Sequence, residues 1–290
     1  MFGPNTLSSF YYQSNYSHRC EQFKKLYGEL TVLMKEKLNL PEYDVLFIPG
    51  SGTFGVECLI KSCNIPIEII GNEGKFKDRW KKLNDTIQPN NLNEEKKIQM
   101  FCQLETSNSS IFTKEGCFVD AISSFPFYQI PKKTKAFVCC SNKQIGAFPG
   151  LSIIFVKKDC WNIFKEEELF TIMNLSLYRR YSLNNQLPTT APVQIFQQLL
   201  DRMKLFDIDS LKNKIISNSN KITSVFDKSA IVGESISPVI TVKKEFVPIQ
   251  LAKKFKIYHY NNDYPFYQIF TYSTKDSVYD EFIREVKKWQ

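Results

Sequence analysis

The chain has 290 residues, 43% of them apolar and 14% aromatic, with a formal net charge of +8. That is apolar material enough for a packed core, in one large domain or a large one with a small companion, as in a soluble globular protein. The positive charge comes as scattered doublets such as Lys24-Lys25, Lys81-Lys82 and Lys132-Lys133, which reads as a solvated surface and not as a nucleic-acid footprint, while mildly favouring anionic small substrates.

In chain order, an amphipathic segment from about Arg19 to Leu38 predicts a helix, and "YDVLFIPG" after it reads as a buried strand. A helix is expected from Gly52 to about Cys63. "IPIEIIG" is the next strand and "KFKDRWKKLN" the next helix, and "NDTIQPNNLNEEKK" reads as a polar loop. "IQMFCQL", "CFVDAI", "KAFVCC" and "LSIIFV" are further short apolar runs of strand length. Buried strands interleaved with helices point to an α/β class with a mostly parallel sheet.

After Lys157 the pattern predicts helices in "WNIFKEEELFTIMNLS", "APVQIFQQLLDRMKLF" and "SLKNKIISNSNKITSVF". A short α+β tail follows, from "SPVITV" through "FYQIFTYS" to a last helix "SVYDEFIREVKKW". The expected division is a large domain over 1–215 and a small α+β domain over 216–290.

No apolar run approaches the roughly 18 residues of a membrane helix, and "MFGPNTLSSF" lacks the layout of a secretory signal. The expectation is a cytoplasmic protein with no membrane or nucleic-acid partner. Eight cysteines without a CxxC pair, and only His18 and His259 as histidines, read as reduced and mostly buried thiols with no structural metal.

Three stretches carry candidate chemistry. "FIPGSGTFGVECL" runs from a strand through Gly50, Ser51, Gly52 and Thr53 into a helix, whose free N–H groups and dipole suit a phosphate. "FVDAISS" places Asp120 at the carboxyl end of a buried strand, where ligands of open α/β sheets bind. A carboxylate there needs a donor or a cation. "CCSNKQIGAFPGLSIIFV" sets Lys143 at the mouth of the next buried run, one crossover and one strand beyond Asp120, so both can face one pocket. Taken singly, each has a structural explanation: strand-glycine-helix packing, a cap, a surface lysine. In this order they give the layout of a pyridoxal-phosphate site, with phosphate anchor, pyridinium partner and amine-bearing lysine.

On "GPNTLSS" (3–9), "LFIPGSGTFGVE" (46–57), "GNEGKFKDRW" (71–80), "LETSNSS" (104–110), "VDAISS" (119–124), "SNKQIGAFPGLSIIFV" (141–156) and "LPTTAPVQIF" (187–196), the chain resembles the class V aminotransferases of fold type I. Within them it looks most like the 2-aminoethylphosphonate:pyruvate aminotransferases, with alanine:glyoxylate and serine:pyruvate enzymes as cousins. The resemblance implies a large domain with a mostly parallel, mixed sheet and a small, truncated C-terminal domain. It implies that Lys143 carries the cofactor through its amine, and that Asp120 bonds the pyridine nitrogen. Ser51, Gly52 and Thr53 would hold the phosphate, helped by Ser141 or Asn142 and by Thr190 from the partner subunit of a homodimer. Phe76 would stack on the ring, and Thr106 would touch the cofactor's phenolic oxygen or ring edge. The segment 1–20 would line the entrance.

Two departures stand out. Only Asn108 to Gly116 separate "ETS" from the Asp120 strand, where the family has a helix, and the small-domain arginine expected to hold a substrate anion falls on Gln268. The resemblance, whose N-terminal segment lies along the entrance, makes Arg19, with Arg179 and Arg180 behind it, the expected substitute anion anchor; the alternative is that Arg19 only starts a surface helix. The expected activity is transfer of an amino group from a small primary amine, such as 2-aminoethylphosphonate, to a 2-oxo acid such as pyruvate. An alanine- or serine-type aminotransferase, a lyase on the same cofactor and a non-catalytic cofactor-binding member stay open.

Overall fold

The computed structural model describes residues 16–87, 97–166 and 171–289. Its first elements are α1 (Glu21–Lys37), β1 (Tyr43–Pro49), α2 (Gly52–Ser62), β2 (Ile67–Ile69), α3 (Lys75–Ile87) and β3 (Ile98–Cys102). A hairpin of β4 (Leu104–Glu105) and β5 (Ser110–Ile111) follows, then β6 (Phe118–Asp120), β7 (Ala136–Cys140) and β8 (Leu151–Lys157). The remainder comprises α4 (Leu175–Ser182), α5 (Val193–Lys204), α6 (Ile208–Thr223), β9 (Ile231–Val232), β10 (Val239–Lys243), α7 (Ile249–Lys254), β11 (Phe266–Phe270) and α8 (Asp276–Lys287).

Six strands form the main sheet in the order β1-β8-β7-β6-β3-β2. Only β8 runs against its neighbours; β7, β6, β3 and β2 pair in parallel. All of β6 and β7 is buried, as expected of strands covered on both faces. Because β1 is also antiparallel to β8, the carboxyl ends of β1, β7, β6 and β3 all emerge at one edge. The sheet core is dominated by aromatic rings, with Phe137 and Phe155 stacked at 4.5 Å between centroids.

Helix α2 packs against β8 and β7 across Gly55. A Cβ there would lie 1.8 Å from Ser152 Oγ, so the glycine is what lets helix and sheet approach. Ser51 caps this helix, its Oγ accepting from the Phe54 N–H at 3.2 Å.

The helix expected over 161–176 does not form at its described start. Residues Lys158–Ile163 make a 3-10 turn and Phe164 bridges to Cys63, while Leu175 starts α4, capped by Asn174; residues 167–170 lie outside the described residues. The reason is tertiary: the Trp161 indole donates to Asp44 Oδ2 at 2.8 Å, and Trp161, Ile163 and Phe164 are all buried against the sheet core. A regular helix would have turned part of that run outward.

The C-terminal sheet has the antiparallel order β11-β10-β9. Its core joins Ile240, Val242 and Ile269 to Ile222, Phe255, Tyr279 and Phe282 from the helices around it. A third cluster, Leu104, Ile215, Val239, Phe270 and Tyr272, links this sheet to β4 and α6. Helix α6 runs unbroken through positions 215 and 216, giving Ile215 to the linking cluster and Ile222 to the second core. All eight cysteines are free and six are buried. Among the described residues, no helix is long and apolar enough to cross a membrane.

Gly55→Ala sets a modest gain in helix propensity against a steric overlap with β8, and the overlap wins. It should destabilise the fold by about 1–3 kcal/mol in urea unfolding. Adding Ser152→Gly should recover most of that loss; a Gly55→Ala protein as stable as wild type would show that the approach of α2 to β8 is not tight.

Candidate active site

The carboxyl edge of the main sheet holds a cavity of about 170 Å³. Most of its lining leaves the carboxyl ends of strands: Ser51, Gly52 and Thr53 after β1, Cys102 from β3, Asp120, Ile122 and Ser123 from β6 and its turn, and Cys140, Asn142 and Lys143 from β7 and its turn. Phe76 of α3, with Leu104 and Thr106 of the hairpin region, closes the lining. This is the crevice position at which open α/β sheets bind ligands.

Asp120 is 3% exposed, and both its oxygens are bonded: the Trp80 indole N–H donates to Oδ2 at 2.8 Å and the Ile122 N–H to Oδ1 at 3.0 Å. Burial pushes its carboxyl up to about 6, opposed by these two donors and reinforced by the nearby Glu105 charge. Burial also lowers Lys143 from the ordinary lysine value, with Cys140 and Asp120 pulling the other way. The Lys143 ammonium lies 5.2 Å from the centre of the Phe270 ring. Cys102 and Cys140 are held protonated by burial, so neither is a ready nucleophile.

The turn that carries Lys143 is braced from several sides. Gln144 donates to the Ser123 carbonyl at 2.7 Å and accepts from the Phe127 N–H at 2.9 Å, and Arg202 Nε donates to the Ile145 carbonyl at 2.7 Å. Thr106 donates to Ser123 Oγ at 2.9 Å.

A second buried carboxylate positions Phe76. Glu105, 1% exposed, accepts from the Phe76 and Lys77 N–H groups through Oε2 and from Ser107 through Oε1. It thus caps the start of α3. Gly74 makes room for it, since a Cβ there would meet Glu105 Cγ at 2.1 Å.

The structure brings together Ser51, Gly52, Thr53, Phe76, Thr106, Asp120, Asn142 and Lys143 in one cavity lining, and leaves four other sequence-derived candidates out of it. Ser141 is fully buried and its hydroxyl donates to the Phe148 carbonyl at 2.6 Å, so it braces the lysine turn. Gln268 is 0% exposed on β11, with its Nε2 donating to the Ser107 carbonyl at 3.2 Å and its Oε1 without a partner among the described residues. It occupies a structural position and not a cavity wall. Arg19 is exposed just before α1, and Thr190 is exposed in the loop before α5. Of the arginines placed behind Arg19, Arg179 stacks on the Trp161 ring at 4.5 Å. The segment 3–9 lies outside the described residues, as does most of the stretch expected to line the entrance.

Cys102, Leu104, Ile122, Ser123 and Cys140 were not singled out from sequence. Cys102 had a signal: it closes a buried run as Asp120 does, and the two stand opposite in the β3–β6 register. Trp80 and Glu105, which touch the site through other residues, had none beyond the spacing of Trp80 one helical turn from Phe76.

In sequence, no family model and no curated protein matches the chain. In structure, it is similar to a phosphoserine aminotransferase from Cytophaga hutchinsonii, with a TM-score of 0.78 and 17% identity over 94% of this chain and 91% of that one. An alanine–glyoxylate aminotransferase from Nostoc sp. gives 0.77 and 16% over 95% and 89%. A phosphoserine aminotransferase from Trichomonas vaginalis, solved with pyridoxal phosphate bound, gives 0.75 and 14% over 94% and 90%. None of the three is a 2-aminoethylphosphonate enzyme. What the likeness establishes is the fold: the mixed, mainly parallel α/β architecture of fold-type I aminotransferases, over nearly the whole chain.

Proposed function

We propose that the protein is a pyridoxal-phosphate-dependent aminotransferase. The observation that carries this reading is the meeting of Lys143, Asp120, Phe76 and the capped start of α2 in one cavity at the sheet's carboxyl edge. The residues fit the cofactor's chemistry. The Gly52 and Thr53 N–H groups head a helix of 11 residues and have no partner among the described residues, which suits a phosphate. A buried carboxylate with two donors already in place suits a protonated ring nitrogen, and a flat aromatic side chain suits a ring face.

Bound there, pyridoxal phosphate supplies an aldehyde for the amino group and a ring that accepts electrons from the bond broken at the substrate carbon. Lys143 Nζ holds that aldehyde at rest. Once released, its amine is favoured in the neutral state by burial and takes and returns the proton. Asp120 would hold the ring nitrogen's proton, its carboxylate kept oriented by the Ile122 and Trp80 donors.

The donor is a small primary amine, with 2-aminoethylphosphonate the substrate favoured by the sequence resemblance, and the acceptor is a 2-oxo acid such as pyruvate. The active form is a homodimer in which Thr190 of the partner subunit reaches the phosphate. The buried amide of Gln268, found where an anion-binding arginine is expected, favours one second reading: a cofactor-binding protein without turnover.

Lys143→Ala should abolish the borohydride-trapped adduct formed by wild type with pyridoxal phosphate. An adduct mapped by mass spectrometry to another lysine would refute the site. Loaded wild type mixed with single amines should convert aminoethylphosphonate to its aldehyde; conversion of alanine or serine alone moves the substrate assignment, and silence with all three supports the second reading.

Mixed subunits test the shared site. Lys143→Ala and Thr190→Ala, each inactive alone, should recover up to about a quarter of wild-type activity when co-refolded at equal amounts, because random pairing makes half the dimers heterodimers and each of these has one intact site. Monomeric sedimentation with no recovery would remove Thr190 from the site.

A further inference from the structure

Helix α3 buries a single residue, Trp80. It lies one turn beyond Phe76, with ring centroids 6.4 Å apart, and reaches beneath the cavity to end on Asp120. An indole N–H is a donor only. It can therefore satisfy an unprotonated carboxylate oxygen and has nothing to offer a carboxyl O–H. The bond of 2.8 Å to Oδ2 helps fix the carboxylate's rotation, beside the Ile122 N–H on Oδ1 and the weaker donor of the Cys102 thiol.

We propose that Trp80 is a positioning residue for Asp120: its indole N–H orients the carboxylate toward the cavity and holds it in the ionised form that a protonated ring nitrogen requires. This rests on the cofactor reading above. The groups facing Asp120 are Cys102 of β3, Glu105 of β4, and Cys140 and Lys143 at the end of β7. Glu105 raises the carboxyl, Lys143 favours the charged form, and burial raises it most; the Trp80 donor acts against burial. Losing a hydrogen bond to a charged group is worth about one to two pH units.

Two measurements test the pair. In the full chain without cofactor, indole 15N–1H spectra should show one N–H whose shift titrates with a midpoint near 6, set by Asp120. That signal should be missing in Trp80→Phe and should stop titrating in Asp120→Asn, which serves if Trp80→Phe does not fold. In the loaded protein, Trp80→Phe should move the acid limb of the cofactor's absorbance up by about one to two pH units, because the unassisted carboxyl takes a proton more readily. Absence of any indole signal whose titration depends on Asp120, or an acid limb unchanged in Trp80→Phe, overturns the proposal. A chain whose indole titrates as expected but which traps no pyridoxal phosphate supports the Trp80–Asp120 pair and refutes the cofactor reading.

Discussion

Two carboxylates buried at strand ends, Asp120 and Glu105, set the terms for the rest of the site. Leaving either without donors costs several kcal/mol, so the surrounding chain is arranged to supply them. Asp120 takes a side-chain donor from α3 and a backbone donor from its own turn. Glu105 takes the first N–H groups of α3. One helix is thus tied at its start to one carboxylate and at its second turn to the other. Phe76 makes the first tie with its own N–H and lies one turn before the second, so its ring position follows from their satisfaction.

The same economy explains the C-terminal sheet. The turn after β4, which carries Thr106, is gripped from that sheet: Gln268 and Tyr264 donate to the Ser107 carbonyl, and Ser109 donates to the Val239 carbonyl. Gly233, at φ +73, lies where a side chain would strike the Asn108 and Ser109 backbone. A guanidinium at 268 would have to enter that packed junction. The amide there fits a bracing role, at the expense of an orphaned Oε1.

Much of this was legible in the sequence because strand-end chemistry is local. "VDAISS" and "SNK" place Asp120 and Lys143 by strand run and turn, and a mostly parallel sheet follows from the buried runs and their connections; which strand is reversed, β8, came only with the structure. The failures share one cause, which is that tertiary contacts decided them. Trp161 left its helical period to reach Asp44, a residue more than a hundred positions earlier. The family resemblance offered Ser141 or Asn142 to the phosphate; the Ser141 hydroxyl donates instead to the Phe148 carbonyl across the turn, while Asn142 lines the cavity. Gln268 was placed by the family resemblance where an anion-binding arginine is expected, but which neighbour takes its amide is decided by packing against the turn after β4.

Placement on a braced turn, and not on a strand, gives Lys143 its particular character. A strand lysine facing this core would be pinned among apolar neighbours along its length; on the turn, its backbone is fixed by Gln144, Gln198 and Arg202 contacts to the segments around it, while its side chain projects into the cavity. Asp120 is held differently: its carboxylate is bonded at both oxygens, by the Trp80 indole and the Ile122 N–H. The cofactor reading proposed above uses that contrast between a lysine tip in the cavity and a carboxylate held in place, and the contrast is built by the elements that carry the two residues.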